Sequence, residues 1–200
     1  PAARASVMPD EVASAEGAAL GIPAGTAYQS LRSLGVGEGD LLLLHAGSGA
    51  VGQAAIQFAV AWGADVIATG GATSQERLRE LGAIPVVYGE GLEQRIRDAA
   101  GDREITVALD GAGTDEAIAA SLALVAVPDR IATIVRGPDA ASFGIRAFSG
   151  GSPVPLTAQE LAWRAEAVPV ALRLIAEGRF SIEFGPELPL AEAAEAHRLV

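Results

Sequence analysis

The feature that most constrains this chain is the turn Gly47-Ser48-Gly49-Ala50-Val51-Gly52, because of what flanks it. Before it, Leu41-Leu42-Leu43-Leu44-His45-Ala46 is a short apolar run of the kind that forms a buried parallel strand. After it, Val51 to Trp62 carries an apolar face and no proline, as a helix requires. Strand, glycine turn and helix in this order make a dinucleotide-binding unit. Gly47 lets the chain turn sharply out of the strand. Gly49 bares the backbone to a pyrophosphate, and Gly52 lets the helix pack close on the strand. The helix N-terminus adds free N–H groups and the positive end of its dipole. Glycines also cluster in ordinary turns, so the spacing alone is weak evidence; the flanking elements make nucleotide binding the better reading.

The rest of the chain repeats the alternation. Strands are predicted at 41–46, 65–69, 85–88, 105–110 and 129–135, and helices at 51–62, 74–81, 91–100 and 114–123. Such alternation predicts a doubly wound α/β fold of the Rossmann type, a parallel sheet with helices on both faces. Upstream, Asp10 to Leu20 and Thr26 to Leu34 read as helices, with Thr26 as N-cap of the second. Gly82 in Leu81-Gly82-Ala83 suits a helix C-cap. Downstream, Phe143 to Phe148 reads as a sixth, edge strand and Gly150 to Pro153 as a loop. Thr157 to Gly178 reads as a long helix interrupted near Pro169, Phe180 to Leu190 as extended chain, and Ala191 as the start of another helix.

Composition removes several classes. The 200 residues carry a formal charge of −11, which argues against nucleic acid or an anionic membrane as partner. Every basic residue is arginine, so a lysine base, a Schiff base and a Walker-type phosphate lysine are excluded, and the glycine turn is not a P-loop. The Tyr-x-x-x-Lys pair of short-chain dehydrogenases is also impossible: Arg32 follows Tyr28 at that spacing, and Leu92 follows Tyr88. Without cysteine there is no thiolate metal site or disulfide in the chain. No apolar run is long enough to span a bilayer, and Pro1-Ala2-Ala3-Arg4 has no signal-peptide pattern. A cytoplasmic location is the expectation.

Several separate motifs then occur in one order. They are Ala18-Ala19, Thr26-Ala27-Tyr28, Gly39-Asp40, His45 through Gly52, Gly63-Ala64, Val66-Ile67-Ala68-Thr69, Leu81-Gly82-Ala83 and Leu188 through Arg198. Together they resemble the medium-chain dehydrogenase/reductase superfamily, and most of all its zinc-independent quinone oxidoreductase branch, from about residue 10 to the end. The resemblance implies a remnant of a GroES-like catalytic domain and a linking helix over 1–23. It implies a Rossmann NAD(P)-binding domain of six strands over 24–156, and its last helix with a return segment over 157–200. It also implies that the body of the catalytic domain precedes Pro1, that a short final strand follows Val200, and that the fragment by itself turns over poorly. Two such domains pair in the family through the sixth strand, so 143–148 is the expected homodimer edge.

The resemblance and the residues together mark a cofactor site. An acid holding a ribose 2′-hydroxyl is expected roughly 20 residues past the glycines, yet Val66 to Gln75 contains none. The segment instead offers Thr69, Gly70, Gly71, Ser74 and Arg77, small, hydroxylic and cationic groups that favour a 2′-phosphate and hence NADP(H), with NAD(H) second. The competing reading makes Ser74 a helix cap and Arg77 a solvated side chain. The resemblance places Gly47, Ser48, Gly49, Ala50, Val51 and Gly52 on the pyrophosphate. It sets Asp110, Gly111 and Ala112 beside the nicotinamide ribose, the backbone of Val135 and Arg136 at the carboxamide, and Thr26 on the nicotinamide. The plainer reading of Asp110 is a strand-end turn, with the Asp as cap for the helix that begins at Thr114. Tyr28 is expected to pack, His45 to be a hydrogen-bonded structural histidine, and His197 to be solvated. Zinc-dependent relatives place a ligand four residues before the threonine; here that residue is Ile22, which cannot ligate a metal. No metal is expected, and no residue stands out as catalytic. The implied chemistry is hydride transfer to a quinone, an enone or a similar electrophilic small molecule. A zinc-type alcohol dehydrogenase or an enoyl-thioester reductase is the alternative within the superfamily. Outside it stand an S-adenosylmethionine-dependent methyltransferase, which usually wants an acid at the end of the second strand, and a non-catalytic nucleotide-binding protein.

Overall fold

The computed structural model describes residues 5–148 and 154–199. Six strands form one parallel sheet: β1 (Leu41–His45), β2 (Asp65–Gly70), β3 (Ile84–Val87), β4 (Val107–Asp110), β5 (Ile131–Thr133) and β6 (Arg146–Ala147). Their spatial order is β3-β2-β1-β4-β5-β6, and every neighbouring pair is parallel. Strand order reverses between β1 and β4, so the chain leaves their carboxyl ends in opposite directions and opens a crevice there.

All five residues of β1 are buried, which explains its unbroken leucine run: a central parallel strand has two covered faces. Leu42 and Leu44 join a core with α2 (Gly21–Leu34), α3 (Ala50–Ala61) and α8 (Ala158–Ala176). Leu41 and Leu43 point the other way, into a core with α5 (Leu92–Ala100), α6 (Asp115–Leu124) and α7 (Ala140–Phe143). Short helices α1 (Ser14–Ala19), α4 (Gln75–Glu80) and α9 (Ala193–Ala196) complete the set. The amino end of the sheet is clipped by Asp40, which accepts from Gly37 N, Thr106 Oγ1 and Arg130 Nη2. Burial pushes its pKa up, but these three donors outweigh burial and hold the carboxyl below its ordinary value.

Several expected boundaries move. The helix expected from Thr26 begins at Gly21 and runs through Pro23, because proline in a first turn sacrifices no intrahelical bond. Thr26 is therefore inside the helix and not its N-cap. The first helix is shorter than the alanine-rich run, six residues from Ser14. Residues 140–143 are helical and only Arg146–Ala147 is strand, so the expected edge strand 143–148 shrinks to two residues, ended on its amino side by Gly144 in the left-handed region (φ 70°). The helix α8 continues through Pro169 without a break. Gly82 does follow α4 in the left-handed conformation, at φ 94°. The loop at 150–153 lies outside the described residues.

Candidate active site at the carboxyl edge of the sheet

The glycine turn leaves β1 through Ala46, whose φ of 61° is the positive value of a non-glycine residue among those described. Gly47 N then donates to Thr69 O at 2.7 Å, and Gly49 N to Ala46 O at 3.2 Å. The glycines differ in what forbids a side chain. On Gly52 a Cβ would collide with the Ala46 carbonyl and the Gly47 backbone, and on Gly47 it would lie 2.8 Å from Ala68 Cβ. On Gly49 it would meet only Ala46 O at 3.6 Å, an ordinary contact. Packing thus requires Gly47 and Gly52, whereas Gly49 borders open space. Gly49 is also the N-cap of α3, and no side chain caps that helix. The leading N–H groups, at Ala50, Val51 and Gly52, therefore have no capping acceptor and face the crevice with the positive end of the dipole. Ser48 is half-buried beside them, its carbonyl accepting from Gln53 Nε2 at 3.0 Å. A hollow of about 320 Å³ opens in front, bordered by Ile22, His45, Gly49, Val51, Gly111 and Ile134.

A buried polar row crosses the sheet just behind this edge. Thr69 stands one residue before the end of β2, His45, Asp110 and Thr133 end β1, β4 and β5, and the register pairs His45 with Asp110 and Asp110 with Thr133. All four are 0–2 % exposed. Thr69, Asp110 and Thr133 each hold a loop that follows a strand. Thr69 Oγ1 accepts from Ala46 N at 3.3 Å, and Asp110 Oδ1 from Ala112 N and Gly113 N, both at 2.9 Å. Thr133 Oγ1 accepts from Val135 N and Arg136 N at 3.1 and 3.0 Å and donates to Asp110 Oδ2 at 2.8 Å. His45 Nδ1 lies 3.3 Å from Thr69 Oγ1, while its Nε2 is buried with no partner. Burial pushes the His45 pKa down, to about 4, although the nearby Asp110 carboxylate opposes this. The imidazole is therefore neutral at pH 7. The expected Asp cap is not formed: Asp110 holds its own turn, and Thr114 caps α6 by accepting from Ala117 N.

At the end of β2, Thr69 and Gly70 are buried and Gly71 is half-buried. Ser74 precedes α4 but makes no side-chain cap; its hydroxyl donates back to Gly71 O at 3.0 Å. Arg77 is not solvated. Its Nε donates to Gln53 Oε1 at 3.0 Å, Nη1 to Glu80 at 3.3 Å and Nη2 to Ser181 Oγ at 2.9 Å. Both plain alternatives for these two residues, cap and solvated cation, thus give way to specific contacts. Sequence reasoning passed over Tyr88, 61 % exposed, whose hydroxyl stands 3.6 Å from where a Cβ of Gly71 would be. No sequence signal marks it: residue 88 falls inside the predicted strand 85–88, and only the fold sets it just past β3 with its N–H on Gly70 O.

Val135 is exposed, with its backbone held by Thr133 as described, while the Arg136 side chain is tied to Asp115 and Asp139 and lies over the Phe143 ring. Thr26 is half-buried on α2 and does not border the hollow at the glycine turn; it lines a neighbouring cleft against α8. Tyr28 packs: it is 3 % exposed, edge-on to Phe58 and Trp62, with its hydroxyl on Glu166 at 2.9 Å. His197 is exposed.

Comparison with known proteins agrees with this architecture. The family model described as zinc-binding dehydrogenase matches residues 50–154, more than half of the chain. A mycocerosic acid synthase-like polyketide synthase of Mycolicibacterium smegmatis is 30 % identical over 213 aligned residues, covering 98 % of this chain and 10 % of that protein. Among solved structures, mycobacterial Rv1454c complexed with NADPH superposes with a TM-score of 0.76 at 28 % identity, over 99 % of this chain and 65 % of that one. A mycobacterial quinone oxidoreductase gives 0.70 at 28 % identity, over 96 % and 62 %. The chain spans about a tenth of the length of the curated relatives it matches. It belongs to the zinc-binding dehydrogenase family of the medium-chain dehydrogenase/reductase superfamily, and it is that superfamily's NAD(P)-binding domain.

The two groups such a family implies fare differently. Among the described residues no three His, Cys, Asp or Glu side chains converge on a metal position, and Ile22 borders the crevice where a ligand would be needed. The described residues by themselves thus bring together no ligand set for zinc. A nicotinamide dinucleotide does fit: an uncapped helix N-terminus, the open side of Gly49 and three loops held by buried anchors meet at one edge.

Proposed function

We propose that this domain binds NADP(H) for a zinc-independent reductase that transfers a hydride to an electron-poor double bond, as in a quinone or an enone. The observation that carries the reading is the uncapped N-terminus of α3 behind Gly49, where a pyrophosphate is met by backbone N–H groups and the helix dipole. The nicotinamide, when bound, supplies the hydride. The chain's own residues bind and orient. Gly47 to Gly52 take the pyrophosphate; Thr69, Gly70, Gly71, Ser74 and Arg77 take the adenosine ribose and its 2′-phosphate. Asp110 and Thr133 act through the loops they hold, setting Gly111, Ala112, Val135 and Arg136 beside the nicotinamide ribose and carboxamide, while Thr26 faces the ring. For Arg77 this role requires the guanidinium to exchange its bond to Ser181 for one to phosphate. The neutral His45 keeps the loop anchors in place and adds no charge beneath the cofactor. No side chain of the site serves as proton donor, and solvent protonates a reduced quinone.

A second reading, an enoyl-thioester reductase, is favoured by the polyketide synthase relatives, which align along nearly the whole of this chain. It shares the cofactor site and differs in the acceptor. The test of the shared reading is titration of the 200-residue chain with NADPH, NADH and S-adenosylmethionine by calorimetry. NADPH is expected to bind tightest. Tighter NADH binding would remove the 2′-phosphate role of Ser74 and Arg77, and binding of S-adenosylmethionine alone would remove the reductase reading. Assay of the full-length protein with a quinone, an enone and an enoyl thioester separates the acceptors. Loss of that activity on chelation would reverse the zinc-free assignment.

A further inference from the structure

We propose that Arg164 is an anion-binding residue, holding a carboxylate or phosphate carried by the substrate in a cleft next to the cofactor site. The proposal rests on the reductase reading, because it takes the cleft at Thr26 as the substrate end. The cleft lies between α2 and α8, measures about 780 Å³, and is lined by Ser6, Ile22, Thr26, Leu161, Arg164 and Val168. Ile22 also borders the hollow in front of the glycine turn, so the two spaces are neighbours.

Arg164 differs from the other described arginines in what it is bound to. Ten of them pair with carboxylates. Arg32 lies over the Tyr28 and Trp62 rings, and Arg95 donates to three backbone carbonyls. Among the described residues Arg164 forms no ion pair, and its one hydrogen bond there is a long one, 3.4 Å from Nη2 to Thr26 Oγ1. Its Nε is closed off from solvent and has no partner among the described residues. The residues outside the described set, 1–4, 149–153 and 200, include no Asp or Glu that could supply a side-chain counter-ion. This isolation occurs in a chain with 25 acidic residues and a net charge of −11, where carboxylate partners abound.

The placement is built by the fold. Gly25 lets the arginine stem lie flat on α2: a Cβ there would come within 3.1 Å of Arg164 Cγ. The stem thus sets the guanidinium opposite Thr26 and half out of water. A guanidinium with unused donors in a cleft of mixed polar and apolar lining is matched by a planar or tetrahedral oxyanion, which accepts two N–H bonds at once. The Thr26 hydroxyl is within reach of the same anion, and Ile22, Leu161 and Val168 suit an alkyl chain attached to it.

The experiment uses hexanoate, hexyl phosphate and hexanol as probes of the 200-residue chain. The Arg164 Nε–Hε resonance is expected to shift with the two anions and to stay unchanged with hexanol. The tighter of the two tells carboxylate from phosphate. By calorimetry, Arg164→Gln should weaken the better anion about tenfold or more, and Arg164→Lys should keep part of the affinity. If Arg164→Gln fails to fold, the wild-type resonance and Arg164→Lys still decide. An unmoved Nε–Hε signal, or equal affinity in wild type and Arg164→Gln, would overturn the proposal. NADPH titration of the same samples separates the two readings: anion binding without NADPH binding removes the reductase and keeps the anion site, and the reverse removes only the anion site.

Discussion

At the residue scale, Gly49 and Gly52 make the sharpest contrast. Both belong to one motif, yet only Gly52 is enclosed by backbone. Gly52→Ala is expected to cost several kcal/mol, roughly 3 or more, because backbone cannot move aside as a side chain can. Gly49→Ala, at φ −73° and ψ 164°, should change stability by less than about 1 kcal/mol. It should still weaken NADPH binding tenfold or more, since the new methyl occupies the approach to the helix N-terminus. Urea titration and calorimetry on the two variants check this; equal losses of both properties would refute the division. His45 yields a pH prediction. Its folded pKa of about 4 lies below the ordinary 6.5, so the unfolded chain binds the extra proton first. The stability tied to it is complete above pH 6.5 and is lost as pH falls towards 4, by at most about 3 kcal/mol. Asp40 and Glu160, both held below their ordinary carboxyl values, contribute at lower pH than this window. Chemical denaturation from pH 7 to 4.5 should show the fall, and His45→Asn should flatten it. The motif's glycines were readable in the chain because spacing and flanks carry the signal. The anchors Thr69 and Thr133 were not readable as one set with His45 and Asp110, since only strand register brings residues this far apart in sequence into one row.

At the scale of elements, periodicity located every strand of the sheet, because a buried parallel strand has a nearly continuous apolar run. Boundaries moved where a second preference competed. Proline at 23 looked like a stop and proved to be a first-turn residue, which moved Thr26 from cap to interior. Proline at 169 looked like an interruption, yet α8 passes through it under the packing of Ala167, Ala171, Leu172 and Leu174. Tertiary burial thus outweighs the lost backbone bond. Pro169 is itself exposed, so Pro169→Ala should restore that bond without disturbing the core and stabilise the protein by about 1–2 kcal/mol. A rise in the urea midpoint at unchanged slope is the expected observation.

At the scale of the molecule, the return segment is fastened to the cofactor edge by polar contacts on α3. Gln57 accepts from Ser181 N at 2.7 Å and donates to Ser181 O at 3.0 Å, as a strand neighbour would, and Gln53 reaches Glu183 at 2.6 Å. Phe180 packs against Phe58 beneath them. Gln57→Ala should cost about 2 kcal/mol and raise amide exchange at 180–184 while the sheet stays protected. Equal exchange across sheet and segment would argue against a local clip. The fastening also links Arg77, and with it the proposed 2′-phosphate site, to Ser181.

By itself the sequence determined the fold class, the place of the glycine turn and the chemistry that a lysine or a cysteine of this chain would have supplied. Those properties are local: they depend on the period of apolar residues, on glycines within a few positions of one another, and on which residue types are present. Only the tertiary structure decided what each polar side chain is bound to. It gave Arg77 a set of partners, left the Nε of Arg164 without one among the described residues, and set the four anchors in a single row. A hydrogen bond depends on separations of a few ångströms between residues that lie twenty to more than a hundred positions apart in the chain, and sequence spacing carries no measure of that distance.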